Sequence, residues 1–410
     1  MVSPVPPGDD APRRFVLGYR PPLDGVRGFA LISIMVFHSF LNTSHPVPVP
    51  GSFVSVDMFF ALSGFLITTI LAQEWLAKGR IDLLAFYIRR ALRLFPALIV
   101  FLLLMGVFSY LSVFVGDMSF VRRQIVWTAL YGQNWHEVFE PGLSALSHAW
   151  TLSVEEQFYV IWPLVLWGLL ALRRSRVVTI GLVVGLAVIS ALAMGVAGEG
   201  TSVTSNFHAI YGTDARAHGL LLGSALGLAA AFGLFPRPER RWPLLVGWVG
   251  AAYFVIGFAT FDVGSSFNTR GVYAAAGLAT VMIIFSVVHD PDGLLARAFG
   301  SRVLVAAGRV SYGGYLWHLP VFYFLTEDRT GLSYWPLLVL RFVVTFALAT
   351  ASFVLVERPA LRFKRRFERR TDAKDHNIVV APGVTMHESA TAESAPPESV
   401  TPEHPSPGAR

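Results

Sequence analysis

The sequence predicts an all-α integral membrane protein with about ten transmembrane helices and both termini in the cytoplasm. Three observations carry that expectation. Of the 410 residues, 54% are hydrophobic and only 15% charged, and the mean hydropathy is +0.54, well away from the charge content of soluble globular domains. Apolar stretches of roughly 20 residues, enough for one helix to cross a bilayer, recur along the chain. Basic residues gather in short clusters between these stretches, in the pattern that sets topology. The net charge of +6 and the isoelectric point near 9.7 therefore report orientation. No nucleic-acid partner is expected, because no single polar face collects the cations. The chain has no cysteine, which excludes disulfides, thiolate catalysis and cysteine-ligated zinc. Its histidines are scattered without ligand spacing, so no metal is expected.

Residues 1–22 open with "MVSPVPPGDDAPRRF", polar and proline-rich, and read as a cytoplasmic tail and not as a signal peptide. Spans are expected near residues 26–43, 53–75, 94–115, 148–171, 177–196, 217–234, 243–261, 272–289, 303–325 and 335–356. With the N-terminus inside, the inner segments carry Arg13, Arg14, Arg89, Arg90, Arg93, Arg173, Arg174, Arg240, Arg241 and a dense run from Arg358 to Arg370. The outer segments hold only Arg122, Arg123, Arg216, Arg270 and Arg329. Outer residues 116–147 are polar, aromatic and turn-rich and suit a lid or rim. Residues 23–365 form one membrane domain. Residues 371–410 are too polar to bury a core and are expected to be a disordered cytoplasmic tail. The absence of an internal repeat disfavours inverted-repeat transporters.

Ionisable groups at membrane depth cost several kcal/mol unless they pair or face water, so they point to a functional interior. In "LDGVRGFALISIMVFHSF", Arg27 and His38 stand eleven residues apart, about three helical turns, which puts them on one face with about 16 Å of rise between them. Alone, Arg27 reads equally as a positive-inside anchor and His38 as a buried structural histidine. Asp57 lies near the outer end of the second span, where it can be an interfacial carboxylate or can orient a histidine. The pair Ser63-Gly64 suits close helix packing. In "SHAWTLSVEEQFYVIWPL", after His148, Ser153, Glu156 and Tyr159 recur every three residues on one face, whereas Glu155 points about 100° away. Glu156 is therefore the expected functional carboxylate and Glu155 is expected to reach the outer rim. Arg90 and Arg93, at i and i+3 in "FYIRRALRLFPAL", suit phosphates, or equally anionic lipid headgroups. Arg216 and His218 in "YGTDARAHG" and Tyr312, Tyr315 and His318 in "VSYGGYLWHLP" add further polar positions.

The stretches "LDGVRGFALISIMVFH", "DMFFALSGFLI", "FYIRRALRLFPAL", "HAWTLSVEEQFYVIWPL" and "VSYGGYLWHLP", in that order, resemble the acyltransferase-3 family of integral-membrane acyltransferases over residues 20 to 365. The likeness is to the stand-alone type, without a fused esterase-like domain or an eleventh span. It implies a ten-span core that moves an acyl group, commonly acetyl, from cytoplasmic acyl-CoA to a hydroxyl of a glycan, lipid or metabolite. The implied arginine–histidine pair is Arg27 and His38, the arginine pair Arg90 and Arg93, and the serine–glutamate–tyrosine set Ser153, Glu156 and Tyr159. On this reading His38 is the general base, supported by Asp57 or Glu156, and Arg90 and Arg93 bind the CoA phosphates. Arg27, Ser153 and Tyr159 complete the substrate site. Acyl-CoA is a co-substrate, with no permanently bound cofactor. The expected location is the bacterial inner membrane, and the oligomeric state is open. A proton-coupled secondary transporter or envelope-precursor flippase, with His38, Asp57 and Glu156 as a relay, is the alternative.

Overall fold

The structure is a computed structural model, and it describes residues 15–362 apart from 16, 41–42, 44, 112–117, 200–206, 237–238, 264 and 266. The chain divides into residues 1–364 and 365–410. The second unit, and with it the tail expected at 371–410, lies outside the described residues, as does most of the N-terminal tail.

Among the described residues every regular element is helical. The first half of the chain runs through α1 (Pro21–His38), α2 (Val56–Lys78), α3 (Leu83–Tyr110), α4 (Met118–Ala129), α5 (Gln133–Phe139), α6 (Trp150–Ala171), α7 (Arg176–Ala197) and α8 (Phe207–Tyr211). The second half adds α9 (Thr213–Ala231), α10 (Trp242–Thr260), α11 (Tyr273–His289), α12 (Leu294–Phe299), α13 (Arg302–Arg309), α14 (Ser311–Phe324), α15 (Glu327–Thr330) and α16 (Tyr334–Ser352).

Among the described residues, six helical segments are long and apolar enough to cross a membrane: Pro50–Lys78, Leu83–Tyr110, Arg176–Ala197, Trp242–Thr260, Asn268–His289 and Tyr334–Arg362. The other four expected spans fall on α1, α6, α9 and the α13–α14 pair. Those helices carry Arg27 and His38, Glu155 and Glu156, Arg216 and His218, and His318. In α1, α6 and α9 those polar residues lower the hydropathy, whereas α13 and α14 are too short, at 8 and 14 residues, to span alone. α1 runs five residues ahead of the span expected at 26–43, and two further boundaries differ. The stretch expected at 303–325 breaks at Val310 into α13 and α14, and the arginine-bearing stretch before 94 is continuous with the next span as α3, with Pro96 inside it.

Glycines set the tightest crossings. A Cβ on Gly64 of α2 would lie 1.9 Å from the Leu220 carbonyl oxygen of α9, and one on Gly223 of α9 would lie 1.9 Å from that of Ala61. The two backbones are therefore in contact, as the small pair Ser63-Gly64 led us to expect. On α1, Gly28 meets the Leu304 carbonyl of α13 in the same way. These crossings fix α1 and α2, which carry Arg27, His38, Asp57 and Ser63.

Candidate active site

Helices α1, α2 and α3 bring the arginines together. Arg27 donates to the Asp24 carboxylate one turn before it, at 3.2 Å. Arg20, Arg27, Arg89, Arg90 and Arg93 line one cleft of about 380 Å³. A second, narrower cavity of about 80 Å³ shares Arg27, Arg90 and Arg93 with the first and continues past Ser63, Glu155 and Tyr159 to Tyr315. The Arg90 guanidinium lies 4.1 Å from the centre of the Tyr159 ring, a cation–π geometry that holds the fork in place. Three of the expected binding residues, with Tyr159, thus converge on one polar channel.

Within α6 the expected face is corrected. The residues that line the cavity are Thr151, Glu155 and Tyr159, spaced by four, and not the three-residue set of Ser153, Glu156 and Tyr159. Both spacings lie on one helix face to first order, and the neighbouring helices decide between them. Glu155 accepts a 2.8 Å hydrogen bond from Ser63 of α2, so it points inward and not to an outer rim. Ser153 turns toward α5, accepting from the Gln133 backbone N–H at 3.1 Å and donating to the Ala149 carbonyl. Glu156 sits on the adjacent face, within electrostatic reach of Arg90 and Tyr131, and does not line the cavity. The next residue, Gln157, bonds the Tyr131 carbonyl and Asn134 and accepts from Thr213, tying α6 to α5 and α9.

Asp57 also has a different neighbour from the one expected. Both of its carboxylate oxygens accept from Arg216 Nη2 at 3.1 Å. The arginine is 1% exposed and is enclosed by the rings of Tyr273, Trp150 and Phe60, 4.2 to 5.6 Å from its Cζ. A carboxylate held by a buried guanidinium has its charge matched there, and His218, not His38, is the nearby imidazole, 3.9 Å away.

The partner of His38 is a second histidine. His38 Nδ1 lies 3.1 Å from His318 Nε2, and the His318 ring packs against His148, centroids 4.8 Å apart. His148 and His318 are buried, whereas His38 is partly exposed. Tyr315, which closes the cavity, packs against both buried rings and is fixed by hydrogen bonds to Thr151 and the His148 carbonyl. Arg341 of α16 holds the assembly from behind. It donates to the carbonyls of Ser39, just after His38, and of Phe322 and Leu325 at the end of α14. Sequence reading singled out neither Arg341 nor the His38–His318 pairing. The signal available was a lone arginine inside an apolar span, which costs too much to be there without a task.

The 116–147 segment is built on a buried polar network. Glu137 accepts from Gln124 at 3.0 Å and Gln133 at 2.8 Å. Burial pushes its carboxyl up to about 7, against the opposing hydrogen bonds from Gln133 and Gly142.

With this geometry in view, the comparisons are specific. Residues 21–357 match the family model described as an acyltransferase domain, acyltransferase-3. This chain belongs to that family. It is 32% identical over 362 residues to the peptidoglycan O-acetyltransferase OatA of Listeria monocytogenes, covering 84% of this chain and 56% of the relative. It is 30% identical over 355 residues to the O-acetyltransferase OatA of Staphylococcus aureus, covering 83% and 57%. The chain thus spans little more than half the length of these relatives. No solved structure matches. The apolar helices and bacterial relatives of this acyltransferase-3 member make it a multi-pass bacterial membrane protein.

Proposed function

We propose that this chain transfers a short acyl group, acetyl first among them, from acyl-CoA to a hydroxyl of a cell-envelope carbohydrate. One observation carries the reading. The arginine-lined cleft and the narrower cavity share Arg27, Arg90 and Arg93 and lead to Tyr315, beyond which lie His318 and His38. A polyanionic donor suits the first part of that path and an acyl thioester suits the second. The narrow part, about 80 Å³, suits a short acyl group such as acetyl. Arg27 and His38 are separated by about half a bilayer thickness, a span that the pantetheine arm can thread from the cytoplasmic side.

In this scheme the forked guanidinium groups of Arg90 and Arg93 hold the CoA phosphates, with Tyr159 keeping Arg90 in position. His38 accepts the proton of the acceptor hydroxyl as its oxygen attacks the thioester carbonyl. The tetrahedral intermediate then collapses, the carbon–sulfur bond breaks, and the imidazolium returns its proton to the departing CoA sulfur. No acyl-enzyme is required, consistent with the lack of cysteine. Glu155 is the carboxylate that lines the narrower cavity. Asp57 and Ser153 support the surrounding helices, Asp57 through Arg216 and Ser153 through α5.

The Listeria relative is named for peptidoglycan, which makes a peptidoglycan-type glycan the first acceptor to test. Deleting the gene in its host and comparing envelope glycans and lipids by mass spectrometry should reveal the loss of one acyl mass. Unchanged acylation, with substrate counterflow in vesicles that contain no acyl-CoA, would instead establish the transporter reading.

A further inference from the structure

At the His38 cluster the backbone dictates which ring nitrogen carries each proton. His318 Nδ1 lies 2.7 Å from the Tyr315 carbonyl oxygen. A carbonyl only accepts, so that nitrogen bears hydrogen. A neutral imidazole has one donor and one acceptor nitrogen, which leaves His318 Nε2 with a lone pair. That lone pair faces His38 Nδ1 at 3.1 Å. Two bare nitrogens at this distance would repel, so the hydrogen between them belongs to His38 Nδ1. His148 does not compete for it, because its Nε2 is 3.2 Å from the Leu316 carbonyl oxygen and is a donor by the same rule. Among the described residues no ion pair links His38 or His318 to a carboxylate, so neither ring has a partner that would hold it charged at this depth.

We propose that His318 is a positioning residue that locks His38 in its Nδ1–H tautomer, which leaves Nε2 as the nitrogen that takes the acceptor proton. It does the work a carboxylate does for the imidazole of other acyl-transfer sites. This rests on the reading of His38 as the base and adds which of its atoms acts and what selects that atom. The arrangement survives the proton transfer. When His38 becomes an imidazolium, its Nδ1–H still donates to His318 Nε2. His318 is not a relay, because its other nitrogen ends on a carbonyl that cannot receive a proton. The support is stiff, since Arg341 ties the backbone just after His38 to the end of the helix that carries His318.

The test is solid-state NMR on the full-length protein, isotope-labelled at histidine and reconstituted in lipid vesicles, with His38 assigned as the signal missing from His38→Gln. The expected spectrum shows His38 with a protonated Nδ1, a bare Nε2, and a hydrogen-bond coupling from Nδ1 to His318 Nε2. In His318→Leu the Nδ1–H signal of His38 should be lost in favour of Nε2–H, the form free imidazole side chains prefer. In His318→Gln, whose amide oxygen can stand in for Nε2 as an acceptor, it should persist. An Nε2–H tautomer in the unsubstituted protein, or an Nδ1–H signal indifferent to His318→Leu, would overturn the proposal. If His318→Leu does not fold, the unsubstituted spectrum decides alone. Should His38→Gln retain full acyl transfer, the functional reading falls while the tautomer assignment stands, so the two failures are separable.

Discussion

The double substitution Arg90→Gln/Arg93→Gln should weaken CoA binding by between about 10-fold and 100-fold without unfolding the protein. Both side chains line the cleft and the narrower cavity, so both can reach a single polyanionic ligand. A hydrogen bond to a charged group contributes about 1.5–3 kcal/mol, and the lower end applies here because the cleft admits water. About 1.4 kcal/mol is a factor of ten in affinity, so each arginine accounts for roughly tenfold. Groups that share one ligand couple, which keeps the double variant below the simple product. Arg90→Lys should cost less, roughly threefold to tenfold, because it retains charge but loses the fork and part of the stacking on Tyr159. The assay is calorimetric titration of CoA into the full chain in lipid nanodiscs at about 0.15 M salt, where loose surface attraction is screened. Arg270→Gln, outside both cavities, is the control. A double variant that binds CoA within twofold of the parent, or an Arg270→Gln that loses as much, would refute the reasoning.

Three further outcomes follow from particular contacts. Glu155→Gln should lower the acyl-transfer rate by roughly tenfold or more, while Glu156→Gln should stay within about threefold. Equal losses would return Glu156 to the site. Asp57→Asn should leave the buried Arg216 uncompensated and cost about 3–5 kcal/mol, most of it recovered in Asp57→Asn/Arg216→Met. Thermal unfolding of the reconstituted protein reads both, and a double variant as unstable as the single would show that the pair is not an isolated unit. Glu137 gives a pH dependence. Its carboxyl is raised from 4.5 to about 7 in the fold, so its contribution to stability is fully present below about 4.5 and is lost as pH rises through 7. Corrected for the intrinsic base-catalysed rate of each amide, the protection of residues 118–147 against hydrogen exchange should fall between about pH 5 and pH 7 and level off above, and should be independent of pH in Glu137→Gln; a pH dependence that persists in that variant would exclude Glu137 as the cause.

Much of the architecture was legible in the sequence because hydropathy and helical period are local properties. Arg27 and His38 belong to one helix, Arg90 and Arg93 to another, and Gly64 marks a close crossing, all as their spacing indicates. What the sequence withheld is which helix each face meets. The 151–155–159 and 153–156–159 ladders share Tyr159 and are both compatible with one broad helix face, and Ser63, 92 residues away, selects Glu155. The partner of Asp57 is 159 residues distant and that of His38 is 280. No local period encodes such pairings. Arg216 and His318, the partners of Asp57 and His38, come from helices that do not qualify as spans, α9 because of its polar residues and α14 because it is only 14 residues long, so hydropathy was least decisive there.

The central claim is that a donor from one side and a hydroxyl from the other meet at His38. It is tested most directly with the full chain in sealed proteoliposomes, radiolabelled acetyl-CoA sealed against the arginine cleft and a peptidoglycan fragment on the opposite side. The account predicts label on the fragment with the parent protein and at least roughly 100-fold less with His38→Gln. Equal transfer by His38→Gln, with the variant properly inserted, would contradict it.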